Sequence, residues 1–582
     1  MKTEFKKFPS VKMPEALKCH SGWENICEQI HEDLQKIKNS KKVIVIEYYH
    51  GINEKEIAEE FIKILKPDLN IDTKSAFLPD TEIKQMVFPD VTDDRVFGFM
   101  TRLNLEDFFD PNKIHDLNEI IERTSGVVII AGIGASILRK DWDILIYADM
   151  ARWEIQLRMR RNEVNNLGIN NKELDISSLY KQAYFVDWRV CDIQKKKTMR
   201  KWNYILDTNT KFLPKMISGK TYLDGLSLTN KQPFSVVPFF DPGVWGGQWM
   251  KEVCNLDKSK ANYAWCFNCV PEENSLLLQF GDDLFETPSV NLVFYEPAQL
   301  LGEAVYGRFG DEFPIRFDFL DTMGGGNLSL QVHPLTDYIQ EKFGLNYTQD
   351  ESYYMMDVEE EAVVYLGTKE STIPADMIAD LKIAEQGEIL FNAEKYIEVW
   401  PVKKHDHFLI PAGTIHCSGK GSMVLEISAT PYIFTFKLWD WGRLGMDGNP
   451  RPINIEHGEK VIDWSRTTSW TKENLVNQVI PVAKGDGWLE EKTGLHEREF
   501  IETRRHWFTK KVDHNTNGGV NVICLIEGSQ AIVESPANAF EPFIANYAET
   551  FIIPAQIGEY TIRPFGESIG KEIGTLKAFV RT

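Results

Sequence analysis

The first third of the chain alternates short apolar runs with amphipathic stretches. The run Val43–Ile46 predicts a strand, and the segment Glu54–Leu65 after the Gly51 turn has the apolar spacing of a helix. Four more elements follow the same pattern: a helix over 117–123, strands over 127–131 and 144–147, and a helix over 150–165. Strands that alternate with helices indicate a parallel α/β sheet.

The pattern changes twice after this region. Residues 166–235 are polar and in places basic, and we interpret them as a helical connector. From Pro238 onward, short strands separated by Gly and Pro predict sandwiches or barrels. Because 582 residues exceed what one hydrophobic core supports, we expect a multidomain protein that combines α/β and all-β folds.

Composition and charge narrow the range of partners. The formal net charge of −21 disfavours nucleic acid or an anionic membrane as the main partner.

The longest apolar run, Val127–Leu138, is shorter than the about 20 residues that cross a bilayer, and we recognise no signal peptide. The eight cysteines are scattered and fit reduced thiols, and we interpret Cys266 and Cys269 as residues of a buried strand. We therefore expect a cytoplasmic protein.

Ligand-type side chains are concentrated in three short segments of the second part. Gln331 and His333 alternate with apolar neighbours, so both point to one face of a predicted strand. Glu351 opens the next strand, and His416 follows a turn rich in Pro and Gly. Two histidines, a glutamate and a glutamine together suit a divalent metal.

Residues 41–215 resemble the uridine kinase group of phosphate-loop kinases, in which a late strand ends in Asp and precedes an arginine-rich helix. Asp149 and the arginines that follow it carry this resemblance. The phosphate loop itself is degenerate, because it has one glycine, brings in the carboxylate of Glu47, and has Glu56 after Lys55 where Ser or Thr belongs. We expect a kinase-like domain that serves docking, dimerisation or regulation.

The segments around the ligand set resemble the type I mannose-6-phosphate isomerases of the short bacterial kind, over about residues 236–582. The matching segments are Trp245–Gly247, Phe313–Asp321, Leu328–Pro334, Ile410–His416, Val424–Ile427, Trp439–Arg443 and Val461–Trp464. The resemblance implies two cupin (jelly-roll) barrels with a helical insertion, of which the first holds one zinc ion. The zinc ligands that it implies are Gln331, His333, Glu351 and His416.

Two departures fall where this family places positive charge. Lys437 stands where the bacterial enzymes have a catalytic arginine, so the charge is kept and the bidentate geometry is lost. Gln349 stands where those enzymes have a lysine, two residues before the glutamate ligand. By position, Lys437 is the candidate catalytic residue, and Arg316 and Arg443 are the candidates for binding the substrate.

The pair His405 and His407 imitates a metal-binding spacing just before the strand that leads to His416. No carboxylate-bearing strand follows this pair in the family order. We therefore interpret both histidines as exposed loop residues.

The predicted domains follow from these patterns and resemblances. They are an N-terminal arm (1–40), a degenerate phosphate-loop kinase-like domain (41–165), a helical connector (166–235), a metal-binding cupin domain (236–445), a helical linker (446–484) and a C-terminal cupin domain without metal ligands (485–582).

The sequence therefore predicts a zinc-dependent aldose–ketose isomerase. It would interconvert mannose 6-phosphate and fructose 6-phosphate, or a close sugar phosphate, through an enediol. Two alternatives stay open: a sugar-phosphate sensor with weak activity, and an iron(II) cupin oxygenase that uses the two histidines and the carboxylate. The expected partner is a small sugar phosphate, with a homodimer as an option.

Overall fold

The computed structural model of the protein describes residues 4–387, 389–431, 433–445, 448, 451–494 and 499–582. Its strands are β1 Ser10–Lys12, β2 His20–Ser21, β3 Lys41–Tyr48, β4 Leu69–Asp72, β5 Gly126–Gly132, β6 Ile144–Asp149, β7 Tyr204–Asp207, β8 Lys215–Ser218, β9 Phe239–Asp241, β10 Trp265–Cys269, β11 Ser275–Phe280, β12 Asp283–Pro288, β13 Ile315–Asp321, β14 Leu330–Val332, β15 Glu351–Val358, β16 Val363–Thr368, β17 Ile397–Pro401, β18 His407–Ile410, β19 His416–Ser418, β20 Ser422–Ala429, β21 Phe436–Trp439, β22 Ile480–Gly485, β23 Trp488–Gly494, β24 Ile501–Phe508, β25 Val512–Asn515, β26 Asn521–Glu527, β27 Gln530–Glu534, β28 Phe543–Asn546, β29 Thr550–Ile553, β30 Glu559–Pro564 and β31 Ile573–Val580.

Its α-helices are α1 Trp23–Lys36, α2 Glu54–Leu65, α3 Asp80–Val91, α4 Pro111–Arg123, α5 Ala135–Leu138, α6 Arg152–Arg160, α7 Ile176–Gln182, α8 Trp188–Thr198, α9 Gly219–Thr229, α10 Trp249–Val253, α11 Val290–Tyr295, α12 Pro297–Leu301, α13 Glu303–Phe309, α14 Thr336–Phe343, α15 Pro374–Glu385, α16 Ala393–Tyr396, α17 Ile455–Gly458 and α18 Thr468–Asn474. Among the described residues, no helix combines the length and the apolar character needed to cross a bilayer.

The chain folds into two compact units, and each takes in a segment from the other half of the sequence. The α/β unit comprises Ser10–Thr229 and Ser275–Tyr295, and the β unit comprises Met1–Pro9, Asn230–Asn274 and Glu296–Thr582. The main crossover lies near the boundary predicted at 235. No pattern in the sequence, however, predicted that a segment beyond this boundary belongs to the first unit.

A seven-stranded sheet with the order β2-β8-β7-β6-β3-β5-β4 forms the centre of the α/β unit. The five strands from β7 to β4 are parallel, as the alternation of elements predicted. The buried apolar residues Val43–Ile46 lie in β3, which has parallel neighbours on both sides. The helix α2 has its predicted bounds, whereas the helix predicted over 150–165 begins at Arg152 and ends at Arg160.

The segment 166–235 differs from the helical connector that its composition predicted. It contributes β7 and β8 to the central sheet, with β7 parallel to β6 and β8 antiparallel to β7. Each of these strands is only four residues long, which is too short for an apolar periodicity to stand out from the polar residues around it.

All the strand ladders within the four sheets of the β unit are antiparallel, which agrees with the predicted all-β character. One pair of sheets has the orders β18-β15-β20-β13-β10-β9 and β17-β16-β19-β14-β21. The other pair has the orders β22-β23-β24-β31-β26-β29 and β25-β30-β27-β28. An apolar core that includes Phe508, Ile523 and Phe551 stabilises this second pair.

Candidate metal centre

The ends of three strands bring the predicted ligands together. Gln331 lies in β14 and His333 directly follows it, while Glu351 and His416 are the first residues of β15 and β19. Gln331 is the direct cross-strand partner of His416. Because β15 belongs to the other sheet of the pair, the four side chains meet between the two sheets. His333, Glu351 and His416 are at most 1% exposed.

The turn Pro411–Thr414, which leads into β19, is fixed by buried polar contacts. Asp350 accepts a backbone N–H of this turn at 2.8 Å. The buried Arg466 donates to two carbonyl oxygens of the turn at 2.6 and 2.8 Å. Gly413 has a φ of +88°, and a Cβ there would lie 3.0 Å from a backbone oxygen of another segment. The path of the chain into His416 is therefore rigidly determined.

Each imidazole is oriented by a backbone carbonyl. Nδ1 of His333 lies 2.9 Å from the carbonyl oxygen of Phe434, and Nδ1 of His416 lies 2.9 Å from that of Thr414. Because a carbonyl oxygen only accepts, each Nδ1 carries the proton and each Nε2 keeps its lone pair. Histidines that bind a metal through Nε2 are commonly oriented in this way by an acceptor at Nδ1.

The two Nε2 atoms converge on the carboxylate of Glu351. The distances are 3.1 Å from His333 Nε2 to Oε2 and 2.9 Å from His416 Nε2 to Oε1. Lone pairs that face an anionic carboxylate repel unless a cation lies among them, so these three groups fit a divalent metal. Among the described residues, no other three His, Cys, Asp or Glu side chains converge in this way.

Two amide side chains complete the surroundings of the three groups. The Gln331 amide nitrogen lies 3.1 Å from Nε2 of His416, and a half-turn of this amide would direct its oxygen to the same point. Gln349 donates from Nε2 to Oε2 of Glu351 at 3.0 Å and is 2% exposed. A neutral donor therefore orients the glutamate at the position where the sequence departs from the family.

Arg316 is enclosed within the same pair of sheets. Its guanidinium lies 2.7 Å from an oxygen of Asp318 and 2.9 Å from an oxygen of Glu426, and all three residues are buried. Burial raises the pKa of Asp318 to about 6, and that of Glu426 lies well above its ordinary value for the same reason. Arg316 is thus paired with two buried carboxylates, Asp318 of β13 and Glu426 of β20. This pairing disfavours the substrate-binding role that the sequence predicted.

Lys437 lies on β21 directly opposite Gln331. Cross-strand partners share one face of a sheet, so the ammonium group is on the side of β14 that carries the ligand. Burial, with a further contribution from the nearby Arg451, lowers the pKa of Lys437 to about 8. Within the described part of the chain, its Nζ makes no hydrogen bond or ion pair.

Arg443 and Arg451 share the carboxylate of Asp440. Arg443 donates to one oxygen of Asp440 and also to the carbonyl of Asn327, and Arg451 lies 2.6 Å from the other oxygen. The cluster of Arg443, Arg451 and Lys437 contains one carboxylate, that of Asp440, so positive charge is in excess there. Sequence reasoning missed Arg451, because its role depends on a carboxylate that it meets only in the folded chain.

The structure corrects the interpretation of the His405 and His407 pair. His407 is fully buried in β18 against Tyr354, and burial lowers its pKa to about 3. His405 is partly exposed and lies 3.3 Å from Glu527. The prediction of an exposed loop is therefore wrong for His407, which is a core residue with no place in the metal centre.

Comparisons with known proteins divide the chain into two parts. A family model described as a domain of unknown function (DUF8485) matches residues 22–231. The Bacillus subtilis (strain 168) protein named probable mannose-6-phosphate isomerase GmuF is 22% identical over 336 residues, which are 57% of this chain and 96% of that protein. Mannose-6-phosphate isomerase ManA of the same organism is 25% identical over 235 residues, 40% of this chain and 68% of that protein.

A solved structure of the Bacillus subtilis mannose 6-phosphate isomerase aligns with 60% of this chain and 99% of its own, at 18% identity and a TM-score of 0.47. The sequence similarity to the curated relatives shows homology to mannose-6-phosphate isomerases over more than half of the chain. These relatives are isomerases, which confirms the class of enzyme predicted from the sequence. The kinase-like resemblance of residues 41–215 finds no support here and stays a prediction.

Proposed function

We propose that the protein is a zinc-dependent aldose–ketose isomerase that interconverts mannose 6-phosphate and fructose 6-phosphate, or a close sugar phosphate, through an enediol. The observation that carries this proposal is the convergence of two imidazole Nε2 atoms on the Glu351 carboxylate. The curated relatives named as mannose-6-phosphate isomerases support the same reaction.

His333, Glu351 and His416 would hold the metal, with the Gln331 oxygen as a further ligand. When bound, zinc would supply a Lewis acid and a template for two neighbouring oxygens of the open-chain sugar. The residues of the chain contribute the rest. Gln349 orients the carboxylate ligand, and the two carbonyls bound to Nδ1 fix the tautomers of the imidazoles.

Lys437 is the residue that we assign to the reacting end of the sugar. It shares the face of β14 that carries Gln331, and its pKa of about 8 places both protonation states within reach of neutral pH. In its protonated form it stabilises negative charge that develops on the sugar oxygens as the C2 proton moves. A point charge suffices for this role, which makes lysine an acceptable replacement for arginine.

Arg443 and Arg451 are our candidates for the phosphate of the substrate. Both are partly exposed, at 20% and 14% of their side chains, and they share one carboxylate between them. Arginine suits a phosphate because its planar fork matches two of the oxygens. Arg316 no longer belongs to this set, because two buried carboxylates already engage it.

The proposal is tested by assaying isomerisation of fructose 6-phosphate with protein that is stripped by a chelator and then reloaded with one metal at a time. We expect the activity to vanish on stripping and to return with zinc. Metal analysis of protein purified without added metal distinguishes the oxygenase alternative. Bound iron with oxygen consumption and no isomerisation would contradict the proposal.

A further inference from the structure

The α/β unit contains a cavity of about 460 Å³ at the carboxyl ends of β3 and β5. The loop after β3, Ile133 after β5 and residues 163–170 line it. β3 and β5 are neighbours in the sheet, with β6 beyond β3 and β4 beyond β5. The chain passes from β3 to β4 in one direction along the sheet and from β5 to β6 in the opposite direction, so the gap between β3 and β5 is a topological switch point. Open α/β sheets bind ligands at such points, and cavities of this volume accept small molecules.

Backbone donors form one wall of this cavity. The N–H groups of Gly51, Ile52 and Asn53 meet no acceptor within the described chain. Directly after them begins α2, which has 12 residues, and the Asn53 side chain does not cap it. The first N–H groups of a helix lack intrahelical acceptors and lie at the positive end of the helix dipole. This wall therefore favours an oxyanion.

Charged side chains surround the same wall. Lys55 and Lys74 both line the cavity, and Lys74 pairs with Glu54 beside it. Arg158 donates to the carbonyl of Gly51 and lies 3.1 Å from Glu163, so it holds the loop in place. Three cationic side chains (Lys55, Lys74 and Arg158) and two carboxylates (Glu54 and Glu163) line the cavity, which leaves one positive charge in excess. Lys55 also lies 3.7 Å from the exposed Glu59.

A buried imidazole points to a ligand independently of the helix. His50 lines the cavity and is 2% exposed. Its Nε2 lies 2.8 Å from the carbonyl oxygen of Asn165, whereas its Nδ1 has no partner among the described residues. Because the carbonyl oxygen only accepts, Nε2 carries the proton and Nδ1 is a buried acceptor. A hydroxyl group of a ligand, or a water, satisfies such an acceptor, whereas a phosphoryl oxygen does not.

The neighbouring polar groups limit how much negative charge the unit accepts. Glu47 fills the nest at the start of α5, where it accepts the N–H groups of Gly134 and Ser136 at 2.6 and 2.7 Å. Lys195 is committed to the buried Asp149 at 3.0 Å. The donors at these two places are therefore already engaged, and a polyphosphate would meet the carboxylates of Glu47 and Asp149 there.

We propose that this cavity binds a small metabolite with a single phosphoryl group, a phosphate monoester, and that it does not serve a nucleoside triphosphate. The N–H wall and the two lysines receive the phosphoryl group. Apolar side chains that line the same cavity, including Phe77, Leu78 and Val164, contact the organic part of the ligand. The site is independent of the metal centre and of the function proposed for it.

Hydrogen–deuterium exchange of the full chain, followed by mass spectrometry, localises the binding. Inorganic phosphate and ribose 5-phosphate are the probes, and ATP with Mg²⁺ is the comparison. We expect both probes to protect peptides that contain residues 50–56 and 164–170. In the double variant K55Q/K74Q, the ligand concentration that gives half of the protection should rise about tenfold. L78W, which fills the cavity without a change of charge, should abolish the protection.

The matched control is K36Q/K63Q. It removes one lysine from α1 and one from α2, and the side chains of both lysines are 70% exposed. It should bind as the unaltered chain does, and all variants should keep the isomerase activity. No protection of either peptide by phosphate or ribose 5-phosphate would overturn the proposal. Equal protection in K55Q/K74Q, or stronger protection by ATP than by the monoester, would overturn it as well.

Discussion

The charged groups near Gln331 carry out different tasks although they are of similar type. Lys437 has a lowered pKa and no partner within the described chain, whereas Arg316 is held between two carboxylates. Arg443 and Arg451 lie between these extremes, because they share Asp440 and remain partly exposed. The environment of each cation therefore decides which of them remains available to a substrate.

Replacement of Lys437 tests its assigned role. The kcat of the unaltered protein should fall as the pH rises through about 8, where Lys437 loses its proton. K437R stays charged, so its kcat should persist to higher pH. K437M should lower kcat by about 100-fold, because a charge that stabilises the transition state is lost.

The measurement is a pH profile of kcat for all three proteins, with the exposed Lys420→Met as the control. Identical alkaline limbs for K437R and the unaltered protein would show that another group titrates.

The four metal-site residues could be predicted from the sequence because strand alternation, ligand type and family motifs agree for them. The partners of Arg316, Arg451 and His407 could not be predicted in this way. A sequence shows that a residue is charged or titratable, but the ion pair or the burial that fixes its role forms only between distant segments. His407 illustrates this, since the loop spacing suggested exposure and packing against Tyr354 buries it.

At the scale of the elements, the turn Pro411–Thr414 leads the chain into one ligand of the metal centre. It delivers His416, and Arg466 and Asp350 hold its backbone from two sides. The bounds of the helix α2 could be predicted because twelve residues form about three helical turns, which is enough for the spacing of apolar residues to be recognised. Arg466 was not predicted, because nothing near it in the sequence indicates that it binds a turn some fifty residues earlier.

R466M should destabilise the β unit and weaken metal binding together. Removing a buried guanidinium that binds two carbonyls costs about 3 kcal/mol, and a displaced His416 should lower zinc affinity by about tenfold. Denaturant unfolding and competition with a chromogenic chelator measure the two effects. The exposed Arg123→Met is the control. Lost stability with unchanged zinc affinity would refute the coupling of the turn to the site.

Glu286 in β12 should make the stability of the α/β unit depend on pH between about 4.5 and 7. Burial, with Asp207 nearby, raises the pKa of Glu286 to about 7. A carboxyl with a raised folded-state pKa contributes stability that is fully present below about pH 4 and is lost as the pH rises through 7. The melting temperature should therefore fall between about pH 4.5 and 7 and level off above pH 7, and E286Q should reduce this fall. An equal fall in E286Q and in the exposed control E119Q would disprove the assignment.

At the scale of the whole molecule, the two units exchange segments of the chain. Residues 275–295 supply β11, β12 and α11 to the α/β unit, where β11 pairs with β1 and Asn291 bonds to Asp149. Such an exchange leaves no mark on composition or periodicity, so the sequence suggested a simple succession of domains. Homology to isomerases over 57% of the chain does not make that part a separable module.

A fragment of residues 236–582 should therefore not fold as the intact chain does. Without residues 10–229, the buried side chains of Leu276, Leu278 and Phe285 have no partners to cover them. We expect insoluble or non-cooperatively melting protein, and recovery of soluble material when residues 1–235 are co-expressed. A soluble fragment with a single sharp thermal transition would contradict this expectation.

The proposed function requires that the His333, Glu351 and His416 site isomerises a sugar phosphate. Incubation of the zinc-loaded protein with fructose 6-phosphate in deuterated water, followed by NMR, tests it most directly. The account predicts the formation of mannose 6-phosphate with deuterium at C2, and the loss of both signals in H416A. No deuterium exchange on any hexose phosphate in a fully metallated sample would contradict it.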